Sequence, residues 1–262
     1  MSDEWGLSMD DPNDNSNSTP QPFDQQAALA LLTDGELVEV HGIIKNSSNY
    51  TFLVTLKNEA GEHQAIYKPR RGERPLWDFP DGTLADREVA SHLISEALGW
   101  HLIPPTVLRD GPNGIGSFQW FVPHDPAENY FTFGDRVLQQ LKFLCAFDCI
   151  TNNADRKGGH ILLGEGERIW AIDNGLTFNV AHKLRTVVWD FQTEDVPSQI
   201  IADLRALRDR VCDEADPLTI QLNRHLVSGE ITAFQHRIER ILKSGRYPKA
   251  GERGIHYPWP PV

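Results

Sequence analysis

The sequence predicts an α+β fold with two lobes, a β-rich N-terminal lobe and a mainly helical C-terminal lobe. Three strand-like runs separated by polar turns lie within residues 37–68, and a second hairpin pattern follows at 107–122. Further along, apolar residues recur at helical spacing over 135–150, 198–213 and 231–242. With 262 residues, the chain is long enough for two lobes with a sizeable core.

Residues 1–24 differ in composition from the rest and predict a disordered acidic tail. They hold six acidic residues and no lysine or arginine, and they have few apolar side chains to bury. The remainder carries 25 basic and 31 acidic residues, so the formal net charge of -12 is divided equally between tail and body. Because nucleic-acid partners require a basic face, the sequence predicts no nucleic-acid partner.

Residues 25–122 form the predicted N-terminal lobe. It opens with a short helix that has Asp24 at its N-cap. Its three meander strands are expected at 37–44, 50–56 and 63–68. A longer helix follows, in which Thr83 and Asp86 have the spacing of a capping box and Gly99 marks the end. The hairpin at 107–122 completes this lobe.

Residues 123–262 form the predicted C-terminal catalytic lobe. The run Pro123-His124-Asp125-Pro126 interrupts the second hairpin and is a candidate hinge between the lobes. Helices dominate the rest. The last stretch is rich in proline, and we expect it to be extended, with Tyr257 and Trp259 packed on the body.

The three cysteines favour a reducing compartment. Cys145 and Cys149 lie four residues apart in an apolar helical run, which predicts core thiols rather than a metal pair. No window approaches eighteen apolar residues, and the chain lacks the basic start and apolar run of a secretory signal. We therefore expect a cytoplasmic protein with no transmembrane segment and at most peripheral membrane contact.

Two aspartates eighteen residues apart are the most informative feature. Asp155 and Asp173 flank the segment 161–172, in which two apolar runs surround a Gly-Glu-Gly-Glu turn and predict a hairpin. Such a hairpin brings both aspartates to one end of a small sheet. Phosphoryl transfer uses one carboxylate to orient the attacking hydroxyl and another to hold Mg²⁺ against the phosphates.

These residues resemble the catalytic signature of the phosphatidylinositol 3/4-kinase superfamily. The resemblance rests on Asp155-Arg156, the metal-ligand position five residues after the aspartate, and Ile172-Asp173-Asn174-Gly175-Leu176. The signature is most similar to that of the type II phosphatidylinositol 4-kinase branch, and the chain resembles a bacterial-type homologue of that branch. Ala65–Pro69 and Arg87–Ala90 also resemble that branch. The resemblance implies a two-lobed protein-kinase-like fold and transfer of the ATP γ-phosphate to a hydroxyl acceptor.

The resemblance implies roles for four charged residues. Lys68 would contact the nucleotide phosphates and Glu88 would fix its ammonium group. Asp155 would be the catalytic carboxylate, and Asp173 would bind Mg²⁺. For each of these four, a surface or turn position is the alternative. Lys157, two residues after Asp155, would point the same way along the loop and could neutralise the γ-phosphate.

His160 departs from the family, which places asparagine there as a second metal ligand. A neutral imidazole can bind a divalent ion, but Mg²⁺ prefers oxygen, so Mn²⁺ could be better tolerated. Contact with phosphate and a structural hydrogen bond are the other two interpretations. His160 is therefore a candidate metal ligand with two open alternatives.

The remaining candidates concern the nucleotide. Ser47 and Ser48 lie in a glycine-free turn whose hydroxyl and N–H groups could hold phosphate oxygens. Adenine would lie against Ile44, Ile66 and Val122, with its edge paired to the backbone near Val122 to His124. The expected ligands are ATP and Mg²⁺ or Mn²⁺.

The acceptor stays unresolved between a lipid and a protein hydroxyl. The spacing of Asp155 and Lys157 resembles that of protein Ser/Thr kinases, and no clear membrane-binding device is visible. Three interpretations follow: a lipid kinase, a protein Ser/Thr kinase on the same scaffold, or a catalytically weak nucleotide-binding regulator.

Overall fold

A five-stranded antiparallel sheet forms the N-terminal part of the fold. The structure is a computed structural model that describes residues 23–44, 49–251 and 255–262. The strands lie in the order β1-β2-β3-β5-β4. Their bounds are β1 (Glu36–Ile43), β2 (Phe52–Asn58), β3 (Gly61–Pro69), β4 (Thr106–Gly111) and β5 (Gly114–Trp120). The meander and the second hairpin agree with the sequence-based expectation. The predicted tail up to residue 22, together with Ser47 and Ser48, lies outside the described residues.

The helix α1 (Gln25–Asp34) packs against this sheet. The Asp24 carboxylate accepts hydrogen bonds from the backbone N–H groups of residues 26 and 27, which is the expected N-cap. Leu31 and Leu32 of α1 pack in a small core with Tyr67 and Phe118 of the sheet. The sheet is therefore stabilised by its own cluster, separate from the larger core.

The helix α2 (Leu84–Ala97) begins differently from the sequence-based expectation. The side chain of Thr83 makes no capping bond; its hydroxyl donates back to the carbonyl of Pro80 at 2.7 Å. The Glu73 carboxylate instead accepts the N–H groups of Leu84 and Ala85 at 3.2 and 3.0 Å. The predicted capping box is wrong because a distant carboxylate occupies the helix N-terminus.

The C-terminal part is mainly helical and contains the larger core. Its elements are α3 (Leu138–Thr151), β6 (Ile161–Leu163), β7 (Ile169–Ala171), α4 (Ser198–Cys212), α5 (Pro217–Leu222) and α6 (Ser228–Ser244). Strands β6 and β7 pair antiparallel as the predicted hairpin. Cys145 and Cys149 are buried free thiols in α3, as expected. None of the helices in the described ranges combines the length and hydropathy needed to cross a bilayer.

The last residues contradict one expectation. Tyr257 is 54% exposed and Trp259 is 87% exposed, so these aromatic rings do not pack on the body. The segment is held by main-chain carbonyls instead, because those of His256 and Pro261 accept hydrogen bonds from the body. Within this segment, the side chain of Pro258 is buried.

Helix α2 is fixed to the helical part by one buried arginine. The Arg87 guanidinium donates to the carbonyl of Thr177 at 2.6 Å and to the carboxylate of Glu230 on α6. It also lies 5.0 Å from the centroid of the Phe79 ring. Both partners of the ion pair are almost fully buried. Because α2 also carries Glu88, this contact determines where Glu88 lies.

Replacing Arg87 should therefore destabilise the folded protein strongly. We expect Arg87→Met to lower the free energy of unfolding by about 3–5 kcal/mol, because Glu230 would stay buried without its cation. Urea denaturation measures the loss. The matched control is Arg136→Met, whose ion pair with Glu128 is exposed to solvent and should contribute much less to stability. Equal losses in both variants would contradict the structural role given to Arg87.

Candidate active site

A cavity of about 390 Å³ lies between the sheet and the helical part. Ile44 and Ile66 line it from the sheet, and Leu162 and Ile172 line it from the β6–β7 side. Val122, in the connection that follows β5, closes one end. The three apolar residues expected around adenine thus line one cavity. Its walls are mostly apolar, with Lys68 and Asp173 among the polar groups at its edge.

Lys68 lies between two carboxylates. Its Nζ atom is 2.6 Å from Oε1 of Glu88 and 2.9 Å from Oδ1 of Asp173. Burial opposes the charge on Lys68, but the attraction of Asp173 and Glu88 outweighs it and raises the pKa of Lys68 above its ordinary value. The lysine is therefore a permanently charged group. The structure thus brings Lys68 together with Glu88, which is 20 positions away in the sequence, and with Asp173, which is 105 positions away.

Local chain geometry explains how these groups meet. Pro69 ends β3 directly after Lys68, which pairs with Ser117 in the sheet. The second oxygen of Glu88 accepts the backbone N–H of Asn174 at 2.9 Å. One carboxylate on α2 therefore holds both the lysine and the residue that follows Asp173.

The β6–β7 hairpin places Asp173 beside His160. The backbone N–H of Ile172 donates to the carbonyl of His160 at 2.9 Å, next to the pairing of Ile161 with Ala171. Nε2 of His160 then lies 3.4 Å from Oδ2 of Asp173. Asp173 has a φ of 57°, a left-handed conformation that aspartate tolerates better than most residues. Lys68, opposed by burial, holds the pKa of Asp173 well below its usual range.

The other ring nitrogen of His160 bears on its role. Nδ1 accepts the backbone N–H of Lys157 at 3.4 Å, so in this arrangement the proton lies on Nε2 and faces Asp173. Metal binding through Nε2 requires the opposite tautomer. Burial lowers the pKa of His160 to about 4 although Asp173 opposes this, so the ring is neutral at pH 7. The geometry is that of a hydrogen-bond donor.

Asp155 and Lys157 lie together on the loop that follows α3. Nζ of Lys157 is 3.3 Å from Oδ2 of Asp155. The backbone N–H of Asp155 donates to the side chain of Asn153 at 2.9 Å, which fixes the turn. Burial raises the pKa of Asp155, and Lys157 opposes that rise. This loop meets the Asp173 segment, because the N–H of Ala154 donates to the carbonyl of Leu176 at 2.8 Å.

Arg156 is a central residue to which the sequence analysis assigned no role. Its fully buried guanidinium lies 3.1 Å from Oδ1 of Asp148, which is also fully buried. It further donates to the carbonyl of Ile172 at 2.6 Å and to Oδ1 of Asn174 at 2.5 Å. Arg156 thus ties α3, the Asp155 loop and the residues on both sides of Asp173. An aspartate inside the apolar run of α3 was the available signal for a buried cation.

Two histidines contact the backbone carbonyls that directly precede the candidate hinge. His63 contacts the carbonyl of Phe121 through Nε2 at 2.9 Å, and His124 contacts the carbonyl of Val122 through Nδ1 at 2.8 Å. The His63 ring also stacks on Trp120 with centroids 3.5 Å apart. The expected pairing of an adenine edge with Val122 would therefore share or displace a histidine contact.

The donor set around Asp173 fits a hard divalent cation that is also held by phosphate. Among the described residues, no group of three or more His, Cys, Asp or Glu side chains could hold a metal alone. Mg²⁺ commonly uses one or two carboxylates and completes its shell with water and substrate phosphates. The half-exposed side chain of Asp173 at the cavity edge meets that requirement.

A second cavity of about 290 Å³ lies on the other side of the same residues. It shares Lys68 and Asp173 with the first cavity and is also lined by Asn49, Glu73 and Arg74. The two cavities therefore meet at the charged centre. This arrangement gives space on both sides of Asp173.

A solved structure shares this architecture. The hydra protein in "The structure of hydra Fam20 with sugar" superposes with a TM-score of 0.52 and 13% identity, over 83% of this chain and 86% of that chain. The Helicobacter pylori proinflammatory kinase CtkA gives a TM-score of 0.47 with 11% identity, over 82% of this chain and 94% of that chain. The first likeness supports the fold alone.

The sheet-and-helix fold, with a charged centre between its two parts, defines a kinase-like phosphotransferase domain. Residues 85–215 match the family described as phosphatidylinositol 3- and 4-kinase. Protein Rv2133c of Mycobacterium tuberculosis (strain ATCC 25618 / H37Rv) is 38% identical over 267 aligned positions, which cover 88% of this chain and 94% of that protein. The chain belongs to the phosphatidylinositol 3- and 4-kinase family, and the predicted two-lobed kinase-like fold is confirmed.

The lowered pKa of His160 gives a prediction about stability. An unfolded chain takes up a proton on this residue near pH 6.5, whereas the folded chain does so only near pH 4. As the pH falls from 6.5 toward 4, the free energy of unfolding should therefore decrease, with His160 contributing up to about 1.4 kcal/mol per pH unit. We expect a shallower fall for His160→Gln, measured by urea denaturation at several pH values. Exposed His236→Gln is the control, and identical slopes for all three proteins would contradict the argument.

Proposed function

We propose that this protein is an ATP-dependent kinase that transfers the γ-phosphate of ATP to a hydroxyl acceptor. The observation that carries the proposal is the contact of Lys68 with both Glu88 and Asp173 at the edge of the interlobe cavity. Phosphoryl transfer depends mainly on positioning and charge stabilisation, and this site provides fixed charges of both signs. We also propose that the protein belongs to the type II phosphatidylinositol 4-kinase branch, as the run Asp173-Asn174-Gly175 suggests.

The nucleotide would occupy the 390 Å³ cavity. Its base would lie between Ile44, Ile66 and Val122, and its phosphates would reach Lys68. The carbonyl of Val122 would become available to the base when the His124 ring turns away, since that ring now holds it. Ser47 and Ser48 stay proposed phosphate contacts in the loop between β1 and β2.

A divalent cation, Mg²⁺ or Mn²⁺, would be held by Asp173 and by phosphate oxygens. When bound, such a cation neutralises charge that develops on the phosphates. His160 is proposed at the same position, either as a ligand in its other tautomer or as a donor to Asp173 or phosphate. The proton on Nε2 favours the donor role.

Asp155 would orient the acceptor hydroxyl and accept its hydrogen bond during transfer. Its raised pKa suits a group that handles a proton, although positioning matters more in a loose transition state. Lys157 now contacts Asp155 and would turn toward the γ-phosphate when the nucleotide is present. Lipid and protein hydroxyls both stay candidate acceptors.

A nucleotide-binding regulator with weak catalysis is the second candidate. The observation that favours it is His160, whose protonated Nε2 faces Asp173 at the position where the family has a metal-binding asparagine. In such a protein, ATP would bind without turnover. Turnover measurements therefore separate the two candidates.

The direct test is phosphotransfer with purified protein, ATP, and Mg²⁺ or Mn²⁺. We expect Asp173→Ala and Asp155→Asn to lower the rate at least about 100-fold, because each removes a group that acts on the reacting atoms. Asp209→Asn, on the exposed face of α4, should retain the rate. Parallel assays with inositol-lipid vesicles and with a generic protein acceptor identify which hydroxyl is used. Unchanged transfer by Asp155→Asn would remove that residue from the mechanism.

The assignment of the nucleotide cavity has its own test. We expect Ile66→Phe to weaken ATP binding at least about tenfold, because the larger ring would fill space that the base needs. Nucleotide-dependent thermal stabilisation reports the affinity. The matched control is Ile220→Phe, at a half-exposed position on α5 far from the cavity. Equal affinity in both variants would place the base elsewhere.

A further inference from the structure

We propose that residues 255–262 are a positioning element for the loop that carries Asp155, Lys157 and His160. The proposal rests on the proposed phosphotransfer, since it assigns this segment a role in the transfer step. Its central observation is that the carbonyl of Pro261 accepts the backbone N–H of Gly158 at 2.7 Å. The segment thus contacts the centre of the proposed catalytic loop directly.

Gly158 is held from two sides by segments distant in sequence. Its N–H donates to Pro261, while its carbonyl accepts the N–H of Tyr130 at 3.3 Å. Gly158 and Gly159 have no side chains that could fix the loop by packing. The main-chain bonds therefore determine the path of the loop between Lys157 and His160.

Packing explains why glycine stands at position 158. A Cβ atom there would lie 2.7 Å from the Phe131 ring and 3.4 Å from the carbonyl oxygen of Pro261. At Gly159, a Cβ atom would lie 4.0 Å from Cγ1 of Val262. The absence of a side chain at position 158 is required by the close approach of the Phe131 ring, whereas the distances to Pro261 and Val262 are ordinary contacts.

A second anchor joins the same segment to the same loop. The carbonyl of His256 accepts the backbone N–H of Thr186 at 3.1 Å and the indole N–H of Trp189 at 3.0 Å. The strand-like stretch around Thr186 pairs in parallel with Arg156. The N–H of Arg156 donates to Arg185, and the N–H of Val187 donates back to Arg156. The segment is therefore the outer layer of a hydrogen-bonded unit that contains the residue after Asp155.

Loss of the Pro261 contact should affect the transfer step more than nucleotide binding. None of residues 255–262 lines the interlobe cavity, whereas His160 does. The base pocket should therefore stay intact, while the stretch from Lys157 to His160 gains conformations. Because small displacements of reacting groups lower rates strongly, kcat should fall by a larger factor than the KM for ATP rises.

The test is a chain shortened to end at Pro258, which removes the Pro261 carbonyl and keeps the His256 anchor and the buried Pro258. We expect kcat to fall at least about tenfold, and by a larger factor than the KM for ATP rises. Amide hydrogen exchange of residues 155–160 should become faster, which is observable without any turnover. The control is Val262→Ala in the full chain, which keeps every main-chain contact and should behave as the unaltered protein.

Unchanged exchange and unchanged kcat in the shortened chain would overturn the proposal, as would a higher kcat, which would indicate an inhibitory segment. If the full chain transfers no phosphate to any acceptor, the proposed function fails. Faster exchange at residues 155–160 would then still support the positioning role.

Discussion

The buried ion pair between Arg156 and Asp148 is the interaction on which the rest of the site depends. Two opposite charges without solvent contact are costly to desolvate, so both need all their hydrogen bonds. Arg156 meets this need with the carbonyl of Ile172 and the side chain of Asn174. The requirement to satisfy one buried cation thus fixes the residues on both sides of Asp173. Stability of the core and geometry of the site have the same physical origin.

Glu88 connects this unit to the sheet. One of its oxygens holds Lys68 and the other holds the N–H of Asn174. Since α2 is fixed in turn by the buried contact of Arg87 with Glu230, the position of the lysine depends on helices far from β3. The two lobes therefore meet through a chain of charged contacts that runs from Glu230 through α2 to Lys68. Apolar packing alone could not give this directional specificity.

Local patterns predicted much of this molecule, and long-range contacts account for what they missed. Alternating apolar residues and turn signals identified the strands that carry Lys68 and the hairpin before Asp173, because those signals act over few residues. The role of Arg156 could not be predicted from the motif, because its partners lie on α3 and beyond β7. Glu73 replaced Thr83 at the helix start because the chain returns there through a loop. The exposure of Trp259 likewise depends on main-chain bonds that composition does not reveal.

The contact of Lys68 with Asp173 at 2.9 Å gives this carboxylate a counterion that belongs to the protein itself. An incoming phosphate would draw the lysine away and leave the aspartate without a counterion, while an incoming cation would do the reverse. Each ligand alone separates a pair of opposite charges, and both together replace it with two new pairs. In the proposed kinase, nucleotide and cation should therefore bind with positive cooperativity, each raising the affinity for the other by the same factor. Selectivity for the metal-complexed nucleotide over the free nucleotide would then follow from the exchange of charge partners, without any contact that distinguishes their shapes.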